Sequence, residues 1–330
     1  AQAPTLLGDY RLQAGSPCIN KGNNSQVPSF SISDLDGNER IYLGSVEMGA
    51  YEYVNCPNIE FVFVDSSVAF SGNGATWANA YKTLSEALDF IHCSNIKEIR
   101  IAKGTYYPTG TQNGTNKDST FLITRGGVKI LGGYPSGGGT RNVALNKTIL
   151  SGDIGTANNN SDNSYHVMIL AGIGANEDSI SIDGINFQGG NANASGTKIY
   201  NAQTIDRNDG GGLVIWNVLN GEKVQVSNCV FTNNRAADGG AGLYITNSTP
   251  LIINSMIIGN HANFGGGVVT YTNAHARFVN CTFAGNRAGD SGGAMRNSSS
   301  NPILTNCIVF GNNSGIFNNF AVSVFCYSLV

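Results

Sequence analysis

Polar, apolar and glycine positions along residues 224–313 return at one fixed step. Asn228, Asn254, Asn280 and Asn306 lie 26 residues apart. Behind them, at the same step, run Phe231, Ile257, Phe283 and Val309, then Asn234, Asn260, Asn286 and Asn312. Ala236, Ala262 and Ala288 follow, and then Gly240, Gly266 and Gly292, with no insertion across four copies. Within a copy, short apolar runs such as Leu251-Ile252-Ile253 and Cys281-Thr282-Phe283 are separated by turns such as Gly259-Asn260 and Gly265-Gly266-Gly267. No run is long enough for a helix, and a fixed period of this length marks a solenoid. Each copy therefore reads as one coil of a parallel β-helix. Stacked strands sit about 4.8 Å apart, so residues one period apart lie above one another. The apolar column becomes an inner ladder, and Asn228, Asn254, Asn280 and Asn306 are expected to form a structural amide ladder at a turn.

The same reading extends outward. Phe61-Val62-Phe63-Val64 is a strand, and Trp77, Tyr81, Leu84, Leu88 and Ile91 keep the alternating steps of an amphipathic helix of about four turns. A solenoid's first coil needs a cap, and this short N-terminal helix suits that role. Residues 108–223 read as less regular coils. Ile180–Phe187 aligns with the coil around Asn228, Gly189–Asn208 is a surface excursion, and Gly210–Leu213 matches Gly239–Leu243. The chain divides into a segment at 1–53 outside the repeat, an opening strand and capping helix at 54–107, and the coils at 108–330.

Two stretches carry a resemblance. Gly15-Ser16-Pro17-Cys18-Ile19, Asp34-Leu35-Asp36-Gly37-Asn38-Glu39-Arg40 and Met48-Gly49-Ala50-Tyr51-Glu52 resemble the closing segment of right-handed parallel β-helix domains in large secreted proteins of the Bacteroidetes. Ser71-Gly72-Asn73-Gly74, Trp77, Ala80-Tyr81 and Gly104-Thr105-Tyr106-Tyr107-Pro108 resemble the opening of the next such domain. The resemblance implies an all-β, right-handed, single-stranded parallel β-helix of the kind pectate lyases also use. It also implies a secreted or cell-surface location. The closing pattern comes first here, and the last coil ends on apolar Ile316, Phe317, Val322, Val324 and Leu329. That order leads us to expect neighbouring copies of the unit to join head to tail.

Composition narrows the chemistry. Charged residues are only 12% and the net charge is −3, so there is no basic stripe for nucleic acid. No apolar run approaches the length of a membrane span, and membrane insertion is not expected. Of seven cysteines, at least one must be free. Cys229, Cys281 and Cys307 share a column with Ser255. Parallel stacking holds their Cβ atoms about 4.8 Å apart, beyond the roughly 3.5–4.5 Å a disulfide wants, so they read as reduced thiols. Cys18, Cys56, Cys93 and Cys326 lie outside the column and show no metal-binding spacing.

Glycoside hydrolysis needs two carboxylates at a set separation, and the chain offers Asp153, Asp162, Asp178, Asp183, Asp206, Asp209, Asp238 and Asp290. Asp238 and Asp290 are expected in one column with Phe264 between them, and Asp183-Gly184 falls where a turn is expected. A lyase would set a basic residue beside calcium-binding carboxylates. Arg235, His261 and Arg287 form one column, an anionic-sugar track or a solvated turn face. His92 at the end of the helix reads as a polar cap or dipole partner. Calcium is the one cofactor suggested, at Asp34, Asp36, Asn38 and Glu39, where oxygen ligands alternate over a turn. Asp118-Ser119-Thr120 and Asp178-Ser179-Ile180 fit a three-residue O-glycosylation pattern known in Bacteroidetes, with Ser119 and Ser179 as acceptors. No catalytic residue is assigned. The expected function is a non-catalytic structural or adhesive module, a stalk or spacer that meets neighbouring copies and surface carbohydrate. The alternative is a carbohydrate-active lyase or hydrolase.

Overall fold

The computed structural model describes residues 10–13, 15–28, 30–31, 34–35, 40–41, 45–53, 56–219, 223–326 and 328–329. It divides into two units, residues 1–58 and residues 59–330. In the first, the described residues between 10 and 20 close turns: Ser16 N–H donates to Gln13 O and Ile19 N–H to Ser16 O. A 3₁₀ turn, Asn24–Gln26, is capped by the Asn23 side chain. The unit is held by polar contacts. The Asp34 carboxylate accepts the Glu52 N–H at 2.8 Å, Arg40 pairs with Glu52 at 2.9 Å, and Glu47 accepts the Tyr53 N–H at 2.9 Å.

The second unit is a stack of coils built from three long parallel sheets. The first sheet has nine strands, from Phe61–Val64 through Glu98–Ala102, Val128–Tyr134 and Ile180–Asp183 to Val324–Cys326. The second and third have seven strands each, the second from Gly104–Tyr106 to Ile308–Phe310 and the third from Phe121–Ile123 to Ile316–Asn319. A short fourth sheet joins Asn191–Ala192, Arg235–Ala236, His261–Phe264 and Arg287–Ser291. Alternation along each strand sends one set of side chains into the coil. In the first sheet Val62, Ile99, Ile130, Ile182, Val226, Ile252, Phe278 and Leu304 stack in register and are all buried. In the second, Leu150, Phe187, Phe231, Ile257, Phe283 and Val309 do the same. The Phe187 and Phe231 rings stack at 4.8 Å.

The step of 26 holds on the first two sheets, where Val226, Ile252, Phe278 and Leu304 succeed one another. It fails on the third. Leu243 pairs with Val268 and Val268 with Met295, steps of 25 and 27 residues. A β-bulge between Ala262 and Phe264 absorbs the slip. The left-handed glycine column is accordingly Gly240, Gly265 and Gly292, with φ of 64°, 55° and 72°, and Gly266 lies outside it.

The expected four-turn helix is shorter. Trp77–Asn79 is a 3₁₀ turn, and the α-helix spans only Leu84–Leu88. Between them the chain is extended because Tyr81 pairs with the first strand: its N–H donates to Phe63 O, and its carbonyl accepts the Asp65 N–H. Thr83 starts the helix through a capping box with Glu86, satisfying N–H groups that a helix start leaves unpaired. The helix buries Leu84, Ala87 and Leu88. His92 lies beyond it, and burial together with the Arg125 charge lowers its pKa to about 4. It is therefore neutral and not a charged dipole partner.

Cys229, Cys281 and Cys307 are buried free thiols, Cys18 and Cys326 are half-buried free thiols, and Cys56 and Cys93 are disulfide-bonded. In the last coil Phe317, Val322, Val324 and Leu329 are exposed, as are Phe310 and Phe320.

Candidate functional site

The asparagine columns separate into two kinds. Asn228, Asn254, Asn280 and Asn306 stand one above another at the turn from the first sheet to the second, each left-handed with φ between 47° and 53°. Their side chains are exposed. Along the column the Asn280 amide donates to Asn254 at 3.2 Å, and the Asn228 amide turns to Asp183 at 2.7 Å. The continuous ladder is the other column. The Asn234, Asn260 and Asn286 amides donate to the next Oδ1 above at 3.1, 3.0 and 2.9 Å, ending on Asn312. The same Oδ1 atoms accept the backbone N–H of the residue below. Asn234, Asn260 and Asn286 are completely buried. An amide with two donors and an acceptor can satisfy such a turn in every coil.

Asp183, a candidate carboxylate, and Asp118, of the O-glycosylation pattern, are held by arginines. Burial opposes the charge of Asp183, but hydrogen bonds from Ser227, Arg141 and Asn228 keep its pKa below the usual carboxylate range. Asp118 takes both Arg207 nitrogens, at 2.7 and 2.8 Å, which lowers its pKa. Of the O-glycosylation candidates, Ser119 is half-buried and Ser179 exposed. The Asp34 carboxylate is engaged as described, and Asp36, Asn38 and Glu39 lie outside the described residues.

Arg235, His261 and Arg287 face one another on adjacent strands of the fourth sheet, and all three are exposed. Arg235 and His261 line a polar cleft of about 310 Å³ with Asp153, Asn158, Asn160, Asn163 and Gln188. Both Asp153 oxygens accept the Asn158 N–H. Asp153 is the one carboxylate among the described residues lining this cleft.

A second cleft was not legible in the repeat. The excursion at 189–208 contains an antiparallel hairpin, Thr197–Tyr200 with Gln203–Asp206, turning at Asn201 and Ala202, both left-handed. Such a two-residue turn matches the natural twist of the strands, and the two short runs flanking Asn201-Ala202 were its signal in the sequence. Tyr200 and Ile205 lie over the outer face of the third sheet, against Ile169, Val214, Tyr244 and Val269. The Tyr200 hydroxyl donates to Asp118 O at 2.9 Å, and Arg207 holds the hairpin's base through Asp118. This packing carries Asp206 and Asp209 to the turn that bears Asp238. Together with Tyr244, Phe264, Val269, Tyr271, Arg296 and Ser298 they line a cleft of about 320 Å³. Trp216 stacks on Tyr244 at 6.0 Å, and the Arg296 guanidinium lies 3.9 Å from the Phe264 ring centre.

Asp238 and Asp290 are not aligned through Phe264 as the sequence suggested. The bulge puts Phe264 opposite Gly239 and Ser291, so the spacing of 26 is lost there. Asp238 instead shares the second cleft with Asp206 of the hairpin and with Asp209 just beyond it. Asp209 is only 7% exposed. Burial, aided by the charges of Asp238 and Asp206, pushes its pKa up to about 7, against the pull of the Gly239 N–H. Burial and the Asp209 charge also raise the Tyr244 hydroxyl.

Residues 151–324, more than half of the chain, match the family described as right handed beta helix region. The chain belongs to the right handed beta helix family. This match supplies the handedness of a coil whose strands are all parallel in the three long sheets. Among solved structures, the helix is similar to "Crystal structure of pectate lyase Pel9A", with 15% identity and a TM-score of 0.49 over 78% of this chain. The chain spans 55% of that structure's length. No curated protein matches it. Among the described residues, no helix is long and apolar enough to cross a membrane.

Proposed function

We propose that this β-helix is a non-catalytic structural module, a rigid spacer or adhesive stalk in a large, secreted or cell-surface protein of the Bacteroidetes type. The observation that carries the reading is the buried amide ladder from Asn234 to Asn312. This ladder bonds each coil to the next at one turn, and coils that contact only their neighbours make a quasi-one-dimensional solenoid, which suits a spacer. Asp118 and Asp183 likewise bind arginines of the fold. The test is incubation of the purified protein with pectin, alginate and related uronic-acid polymers, with and without calcium. No product is expected. Turnover abolished by a single Asp or Arg substitution overturns the reading.

One observation favours a second reading as a glycoside hydrolase. Such enzymes pair an acid of raised pKa with an ionised carboxylate, and Asp209, with its pKa near 7, sits beside Asp238 and Asp206. On that reading Asp209 would protonate the leaving oxygen and one neighbour would activate water. Asp209→Asn would then abolish turnover of a neutral oligosaccharide.

A further inference from the structure

We propose that the cleft between the 197–206 hairpin and the outer face of the third sheet is a recognition site for a sugar unit that carries no acid group. The proposal goes beyond the spacer reading and stands whether or not the module is rigid.

The cleft is at the small end of the roughly 300–1,000 Å³ range of small-molecule sites. That suits a sugar unit and not a folded partner. Its chemistry is mixed in the way sugar recognition requires. Tyr271 is exposed, so its ring is available to the apolar face of a pyranose, while Phe264 carries the Arg296 guanidinium. Asp206, Asp209, Asp238 and Ser298 supply acceptors for hydroxyl donors, and the Arg296 guanidinium, braced on Phe264, supplies donors.

Two groups on buried side chains mark the cleft as built. Asp209 and Tyr244 are each 7% exposed. Gly239 N–H satisfies Asp209 Oδ1 at 2.8 Å. The other Asp209 oxygen and the Tyr244 hydroxyl have no hydrogen-bond partner among the described residues, and both residues line the cleft. Neither atom is sealed from solvent, so both are open to a ligand that enters the cleft. A ligand hydroxyl or amine seated in the cleft provides a partner for each.

Charge selects the class of sugar. Asp206 and Asp238 face one arginine, and Asp209, with its pKa near 7, adds part of a further negative charge, so the cleft repels a uronate and tolerates a neutral sugar. An amine-bearing sugar gains a further attraction.

The test is binding of the full chain to immobilised oligomers of glucose, galactose, mannose, xylose, N-acetylglucosamine, glucosamine, galacturonate and mannuronate, followed by calorimetry on the hits. Binding to at least one neutral or amino sugar is expected, with none to the uronates. Tyr271→Ala, at an exposed position, should weaken binding at least tenfold. Asp209→Asn, which keeps the oxygen that accepts the Gly239 N–H, should change the affinity for an amine-bearing ligand more than for a neutral one. Unchanged circular dichroism would show that both variants fold. Binding to no oligomer, binding to uronates alone, or full affinity in Tyr271→Ala overturns the proposal. Release of shortened product from a bound oligomer would leave the ligand assignment standing and overturn the non-catalytic reading.

Discussion

Replacing Asn260 by alanine tests the buried amide ladder at its centre. The Asn260 side chain accepts from the Asn234 N–H and the Asn234 amide, each at 3.1 Å. It donates to Phe231 O at 2.9 Å, Ile258 O at 3.2 Å and Asn286 Oδ1 at 3.0 Å. In the variant the Asn234 N–H loses its acceptor at a completely buried position. An orphaned buried donor costs about 1–3 kcal/mol, and each net bond lost adds about 1 kcal/mol. Partial relaxation offsets some of this, since the Asn234 amide keeps Phe187 O at 3.1 Å. The expected loss is therefore about 3–5 kcal/mol, a large part of the roughly 5–15 kcal/mol that holds a domain together. The paired control is Asn280→Gly. Asn280 is exposed at φ 53°, and its side chain bonds the neighbouring coil through Asn254 at 3.2 Å. Glycine adopts that backbone freely, so its cost should stay within about 0.5 kcal/mol. Urea unfolding gives the global effect, and amide exchange of the Asn234 N–H gives the local one. A loss for Asn260→Ala no greater than for Asn280→Gly would refute the assignment of the ladder to the buried column.

Asp209→Asn should remove a pH dependence. The ordinary carboxyl value of 3.8 rises to about 7 in the fold, so between these values the unfolded chain has lost a proton that the folded chain keeps. Stability falls as pH rises through that window and is level above it, by about 4 kcal/mol in all. Asparagine lacks this loss, so the variant should gain relative to the parent between pH 4 and 7; Glu52, also raised to about 7, titrates in both and cancels in the difference. A constant difference across the window would contradict the assignment. Thiol labelling of the native protein should modify Cys18 and Cys326 and spare Cys229, Cys281 and Cys307, with Cys229 also held protonated by burial at a pKa of about 12. All five should label after unfolding, and rapid native labelling of the buried column would contradict the core packing. Arg207→Ala should free the hairpin, seen as faster protease cleavage near Asn201 with the coils intact, and unchanged cleavage would show that Asp118 does not anchor it.

What the sequence revealed follows from which forces act at the period. Phe187, Phe231, Ile257, Phe283 and Val309 fill one column because core packing repeats coil by coil, and that repetition is written directly in the spacing. Periodicity does not record depth. Asn228 and Asn234 keep the same step, yet one column faces water and the other closes the interior. The third sheet hid its register because a bulge near Phe264 lets the backbone slip by a residue and recover, which a glycine-rich stretch can mimic by eye. Tyr81 had the spacing of a helix but is drawn into an edge pairing with Val64, while the capping-box pair Thr83 and Glu86 marked the true helix start. The candidate cleft depends on the hairpin at 197–206. Asp206 comes from an insertion folded back over the sheet, so no fixed step relates it to Asp238.

The most direct test of the account is prolonged incubation of the purified chain with a panel of neutral, amino and uronic-acid polysaccharides, with and without calcium, followed by mass spectrometry of the soluble fraction. The structural reading predicts no new oligosaccharide from any polymer, including those the cleft binds. Products that accumulate with the parent chain and vanish with Asp209→Asn would contradict it.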